Sequence, residues 1–166
     1  MNNWFLHLQQ RFIDDFIVKD RWHFIVNGLG VTLRVTLMAL ILGLCIGTIV
    51  AVIRCAHDQQ KDDMHGVGKY LLGAANLVCK VYLTVIRGTP AMVQLLIMYF
   101  IILISVKSKV MVATLTFGIN SGAYIAEIVR GGIMGVDHGQ MEAGRSLGLN
   151  YATTMIHIVI PQALKS

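Results

Sequence analysis

Few residues in this chain could do chemistry, and they sit where polar groups are expensive. Asn120, Tyr124 and Glu127 interrupt an otherwise apolar stretch, and at 100° per residue they share roughly one helix face. Gln94 lies inside a second apolar stretch. An amide, a phenol and a carboxylate at membrane depth are costly, so such groups face a bundle interior or a watery path. They offer hydrogen bonds and charge to a polar solute, and an interhelical hydrogen-bond cluster would use the same atoms. His57, Asp58, Asp62 and His65 carry metal-ligating atoms, yet no recognised ligand spacing links them. A solvated loop accounts for them, and no metal is expected. Cys45, Cys55 and Cys79 have neither ligand nor disulfide spacing, and Cys45 sits in an apolar run where a reduced thiol packs as a small hydrophobe. No G-x-x-x-x-G-K-[ST] loop is present to cradle phosphates, and no Ser/His/Asp or Cys/His set marks a nucleophile. Neither catalysis nor a cofactor is expected of this chain.

What must position these residues is a membrane. The chain is 55% hydrophobic and 14% charged, with a mean hydropathy of +0.66, too apolar for an ordinary soluble domain. Its formal charge of +5 comes from basic residues scattered between apolar runs, the pattern of cationic loops beside a bilayer. No nucleic-acid partner is expected: residues 151–160, where a DNA-reading helix could be sought, contain no Lys or Arg to meet phosphate. The expected fold is an all-α integral membrane protein with about three transmembrane helices, plus interfacial helices.

Residues 1–27 lack the basic start and apolar core of a signal peptide. Phe5, Leu8, Phe12 and Phe16 recur at helical spacing, predicting an amphipathic helix at the extracytoplasmic membrane surface, with Trp4 and Trp22 at headgroup depth. A first span is expected over 28–53, where residues 35–53 are uncharged and Ala39, Gly43, Gly47 and Ala51 form a smooth strip for close helix packing. Residues 54–69 read as a hydrophilic loop. Residues 66–86, interrupted by Lys69 and Lys80, read as an interfacial helix whose Lys69, Asn76, Lys80, Arg87 and Gln94 share one face toward anionic headgroups. Thr89-Pro90 opens a second span over 88–106. A third follows over 110–128, where Gly118, Gly122 and Ala126 form another small strip opposite Asn120, Tyr124 and Glu127. With the tail inside, eight cations fall on inner segments and six on outer ones, a small bias of the right sign.

The tail, 137–161, reads as two short helices joined by a tight turn. Asp137 caps the first, with Gln140 placed to complete a capping box. Gly148 suits the left-handed position that ends it. Asn150 caps the second, which is expected to stop at Pro161.

These residues carry a resemblance. Glu142-Ala143-Gly144, then Gly148, then Ile158 and Pro161, resemble the EAA loop of ABC importer permeases, a pattern of E-A-A, three residues, Gly, nine residues and I-x-L-P. Gly144 stands where the pattern has Ala, and Ile160 where it has Leu. Arg87-Gly88-Thr89-Pro90 with Gln94 and Tyr99-Phe100 resembles the R-G-T-P…Q…Y-F signature of the polar-amino-acid permeases (the histidine/glutamine-type transport family). Residues 120–127 resemble the third helix of that family. The resemblance runs from about 28 to 165.

It implies a partial ABC importer permease fold, one transmembrane domain over 1–166, with the tail as a cytoplasmic coupling helix. Glu142, Ala143, Gly144, Leu147, Gly148, Ile158 and Pro161 would form the interface to an ABC ATPase subunit. Gln94, Asn120, Tyr124 and Glu127 would line the translocation path, while Gly43, Gly47, Gly118 and Gly122 would pack helices. The implied partners are that ATPase, a second permease subunit (identical or not), an extracytoplasmic solute-binding protein and the lipid of a bacterial cytoplasmic membrane. Members of the family usually have five spans, so a chain ending just after the EAA loop looks truncated. A three-span membrane interaction or scaffold protein without transport activity is the alternative.

Overall fold

The computed structural model describes residues 2–14, 21–60 and 66–165, and these are helical without a strand. The helices are α1 (Asn2–Ile13), α2 (Trp22–Gln60), α3 (Val67–Gly88), α4 (Ala91–Ile97), α5 (Lys109–Met134), α6 (His138–Ser146), α7 (Tyr151–Thr154) and α8 (Ile160–Ala163). A π-helical turn, Met98–Ile102, prolongs α4, and another, Met155–Val159, joins α7 to α8. Three helices, α2, α3 and α5, are long and apolar enough to cross a membrane.

The architecture is built on α2 and α5. Gly43 and Gly47 of α2 meet α5 where Gly118 and Gly122 stand. A Cβ on Gly47 would lie 2.7 Å from Ile125 Cβ and 2.9 Å from the Gly122 carbonyl oxygen. One on Gly118 would lie 2.6 Å from Leu42 Cδ2, and one on Gly43 only 3.1 Å from Ser121 Cβ. In lipid, apolarity alone does not drive helices together, so this close approach of backbones is what van der Waals attraction and helix pairing depend on. Because Gly43 meets 118–122, Gly47 meets 122–125 and Arg54 meets Glu127, the two helices run parallel. The segment between them, α3 and then α4, returns in the opposite sense.

On one side of this pair lies α3. Cys79 and Leu83 form a core with Val50, Ala123 and Ala126. The Tyr82 hydroxyl donates to the Ile119 carbonyl at 2.6 Å. A second core, Cys55, Ile133 and Val159, with Met141, Met155 and Ala163 against it, ties the tail to the ends of α2 and α5.

Several boundaries differ from the sequence pattern. Helix α2 continues through 54–60, so Arg54, His57 and Asp58 are helical rather than in a loop. The 19 residues 88–106 do not form one helix: Thr89 and Pro90 are extended, and 91–102 is helical for only about 18 Å, short of a hydrocarbon core of about 30 Å. Residues 67–88 instead make a 22-residue helix of spanning length. Its expected polar face is divided: Lys69, Lys80 and Arg87 are exposed, with Arg87 also reaching Glu127, whereas Asn76 is buried and Gln94 is buried on a different helix. A helical wheel assumes one unbroken helix, and the break at Thr89-Pro90 voids that assumption.

Two local expectations also change. The Asp137 carboxylate accepts from the Gly139 N–H at 2.6 Å, but Gln140 does not close a capping box, since its side-chain oxygen accepts from Gln162 Nε2 at 3.2 Å. Pro161 does not stop the second tail helix. The wide turn before it lets the Ile160 N–H reach back to the Met155 carbonyl. Pro161 then falls in the first turn of α8, where a missing N–H is tolerated. In α1, Phe5 and Leu8 are exposed, whereas Phe16 lies outside the described residues.

Candidate functional site

Three places concentrate polar chemistry, and all lie along α5 or below its end. The first is the break between α3 and α4. Pro90 has no N–H to give the Ile86 carbonyl four residues back, which would leave a backbone acceptor unpaired. Gln94 supplies the missing donor: its Nε2 lies 2.7 Å from the Ile86 carbonyl oxygen, 2.7 Å from Thr89 Oγ1 and 3.1 Å from the Thr89 carbonyl oxygen. Its own carbonyl accepts from Asn120 Nδ2 at 3.1 Å, pinning the break to α5. An apolar cavity of about 220 Å³ lies beside it, lined in part by Ile97, Met98 and Ile119. Gln94 and Asn120 are therefore brought together, and the Gln94 amide is fully engaged.

Seven residues farther along α5 is a charged node. Glu127 accepts from Arg54 Nη1 of α2 at 2.9 Å, while its second oxygen lies 3.7 Å from Arg87 Nη1 of α3 and 3.7 Å from Arg130 Nη2. Arg130 also reaches Asp58 at 3.3 Å, and Asp58 lies 3.4 Å from His57. The Arg87 guanidinium is 5.8 Å from the centre of the Tyr124 ring. One carboxylate thus joins cations from three helices. Half-buried, such a node is unforgiving: removing Glu127 would leave several guanidiniums uncompensated. Tyr124 and Glu127 line a cavity of about 540 Å³ with Arg54, Lys80, Thr84 and Arg87. The four path residues expected from sequence are thereby split into two pairs, one at the break and one at the node.

Arg54, Asp58 and Arg87 were not singled out as partners of Glu127 by the sequence. The signal available was weak: an arginine at the end of each of three apolar segments, and an acid four residues after Arg54. Of the metal set considered, Asp62 and His65 lie outside the described residues. Among the described residues no group of three or more His, Cys, Asp or Glu side chains could hold a metal.

The third place is the tail. Helix α6 ends in a paired turn in which the Leu149 N–H reaches the Gly144 carbonyl at 3.1 Å and the Gly148 N–H reaches the Arg145 carbonyl at 2.9 Å. Gly148 sits at φ 80°, which a side chain resists. Asn150 then caps α7, accepting from the Thr153 N–H at 2.8 Å. The two helices touch at Gly144: a Cβ there would lie 2.5 Å from Thr154 Cγ2. With Gly144 and Thr154 turned inward, Glu142, Ala143, Leu147 and Gly148 are exposed on the outer side, and Leu147 is 79% exposed. Ile158 is half-buried and Pro161 exposed on the following helix. Glu142 and Leu147 are thus exposed on α6 and on the turn that ends it.

Residues 67–166 match the protein family described as "Binding-protein-dependent transport system inner membrane component". The chain is 37% identical over 146 residues to the putative glutamine transport system permease protein GlnP of Rickettsia felis, covering 86% of this chain and 61% of that protein. It is 32% identical over 146 residues to the arginine transport system permease protein ArtQ of Bacillus subtilis, covering 86% and 60%. Its fold matches a crystal structure of an amino acid ABC transporter with histidines, at a TM-score of 0.70 and 35% identity over 91% of this chain and 65% of that one. The chain spans about three fifths of the length of these curated relatives.

Proposed function

This chain belongs to the binding-protein-dependent transport system inner membrane components, and on that premise we propose that it is a permease subunit of an ABC importer for polar amino acids. It is a multi-pass protein of a bacterial cytoplasmic membrane, and the scaffold alternative has no support from its family. The glutamine and arginine permeases among its relatives support the substrate class. ATP hydrolysis falls to a separate ATPase subunit that docks on Glu142, Ala143, Leu147, Gly148, Ile158 and Pro161, while Gly144, buried against Thr154, supports that surface from behind. A second permease subunit completes the pore, and an extracytoplasmic binding protein delivers the solute.

The observation that carries this assignment is the tail turn. Gly148 and the Gly144–Thr154 contact fix α6 against α7 and leave Leu147 and Glu142 facing outward. The second core then joins that surface to the ends of α2 and α5, so a push on α6 reaches the spans directly. Along α5 the solute passes Gln94, Asn120, Tyr124 and Glu127. The seam of Gly43, Gly47, Gly118 and Gly122 keeps α2 and α5 moving as one body.

The test is co-purification of the ATPase with the assembled transporter. Glu142→Lys reverses an exposed charge and should abolish ATPase retention and uptake while membrane insertion stays intact. Normal retention and uptake would reduce the tail to a plain helical connection.

A further inference from the structure

We propose that the cavity between α2, α3 and α5 binds a phosphate group, carried by an anionic phospholipid headgroup of the cytoplasmic leaflet. Charge is the first reason. Arg54, Lys80 and Arg87 line the cavity against Glu127, the only acid among its described lining residues, and Glu127 is already shared among three guanidiniums. With Arg130 and Asp58 included, four cations face two carboxylates across the node. Lys80 is exposed and makes no ion pair among the described residues. Of the lining residues, Arg54 has a buried Nε with no acceptor; the Nε of Arg130, behind Glu127 and outside the lining, has none either. An excess of two positive charges with unused donors calls for an anion, and guanidinium forks match phosphate oxygens well.

Depth is the second reason. Counting back nine residues from Gly43 and from Gly118 puts Arg34 and Lys109 at one level. Counting forward, Arg54 and Glu127 are in direct contact at the other. Between those levels α2 and α5 carry no charge over 35–53 and 110–126. At 1.5 Å per residue the interval is about 28 Å on α2 and about 25 Å on α5, close to a hydrocarbon core of about 30 Å. The cavity therefore sits at the inner edge of the apolar zone, where lipid phosphates lie, and basic pockets between helices at that depth suit anionic headgroups. Thr84 and Tyr124 offer neutral hydroxyl donors in the same wall. Binding of the phosphate does not rest on the transport assignment, because the isolated chain should bind whether or not it carries solute; only the naming of the leaflet as cytoplasmic rests on that reading.

The experiment is thermal unfolding of the purified chain in neutral detergent, titrated with phosphatidylglycerol, phosphatidylcholine, inorganic phosphate or glutamate. Phosphatidylglycerol should raise the melting temperature and phosphatidylcholine should not. Lys80→Gln should weaken half-saturation about five-fold, the effect of about one cation near a lipid surface. Lys80→Arg should restore it, and Lys69→Gln, on the same helix but away from the cavity, should leave it unchanged. An equal effect from inorganic phosphate would keep the phosphate chemistry and overturn the lipid source. An equal effect from glutamate, or a phosphatidylglycerol effect indifferent to Lys80→Gln, would overturn the proposal.

Discussion

Two helix contacts in this protein use the same device to opposite ends. In the seam between α2 and α5, four glycines remove side chains so that two long helices can touch within the apolar zone. In the tail, Gly144 removes one so that the short α6 can rest on Thr154 of α7. Within the apolar zone the seam has little but this fit to hold it: among the described residues no side-chain hydrogen bond joins the two helices between the glycines, the Arg54–Glu127 pair lies beyond them, and lipid competes equally for the apolar flanks. The tail has a great deal else. Asp137 and Asn150 cap its helices, Gly148 closes its turn, and Val159 anchors it in the second core. A contact in lipid must therefore be sterically perfect, whereas one in water can be redundant. Helix α6, at nine residues, is too short to persist alone in water, so that redundancy is what keeps its outer face in place.

The sharpest way to break the comparison is Gly47→Leu. Its side chain would enter space held by Ile125 and the Gly122 carbonyl, with no flexible neighbour to give way. We expect a loss beyond about 3 kcal/mol, the upper end of overpacking costs, seen as aggregation or a collapsed melting transition in detergent. Leu40→Ile, on the same helix with an exposed side chain, is the control for general apolarity. Equal stability of the two variants would show that the seam does not hold the helices.

Gly148→Val comes next. A β-branched residue at φ 80° is strained by about 1–2 kcal/mol, and the strain should misdirect α7 and cost ATPase co-purification while the spans stay folded. Protection of the α2 and α5 amides from hydrogen exchange should be unchanged. Loss of that protection would mean that the tail is part of the same cooperative unit as the seam.

Gly144→Ala separates redundancy from fit. The added methyl meets Thr154 at 2.5 Å, against a gain of about 1 kcal/mol in helix propensity, so the net loss should be about 1 kcal/mol. Thr154→Ala in the same chain removes the clashing Cγ2 and Oγ1 and should recover most of it. A double-mutant cycle in melting temperature measures the coupling. Strictly additive effects would place the two residues out of contact.

The smallest expected effect is at the break. Gln94→Leu fits the space but leaves the Ile86 carbonyl without its donor, costing about 0.6–1.7 kcal/mol, the range for hydrogen bonds inside membrane proteins. Gln94→Glu keeps the acceptor for Asn120 and loses the donor to Ile86, so it should behave like Gln94→Leu. Were Gln94→Glu silent, the staple role would fail and the bond to Asn120 alone would matter.

Much of this was legible in the residues themselves. Small residues every fourth position, at 39–51 and 118–126, are a local pattern, and a local pattern is enough to say that a helix has a smooth face. The same holds for Gly148 and Asn150, because a left-handed turn and a helix cap are set within a few residues. Thr89-Pro90 announced a break for the same reason. What the pattern could not say was which helix each face meets, or where a helix with cations on its flank comes to rest. Lys69 and Lys80 made 66–86 look interfacial by composition, and only the packing of Cys79 and Leu83 against Val50 and Ala123 turned that helix into the bundle. Gln94 could be seen as a polar residue at depth, but not as the donor that replaces the N–H of Pro90. Arg54, Arg87 and Arg130 could be counted, but their convergence on Glu127 could not. Backbone chemistry acts between neighbours in sequence and so is written there. Charge compensation acts between neighbours in space, and the tertiary fold alone decided those.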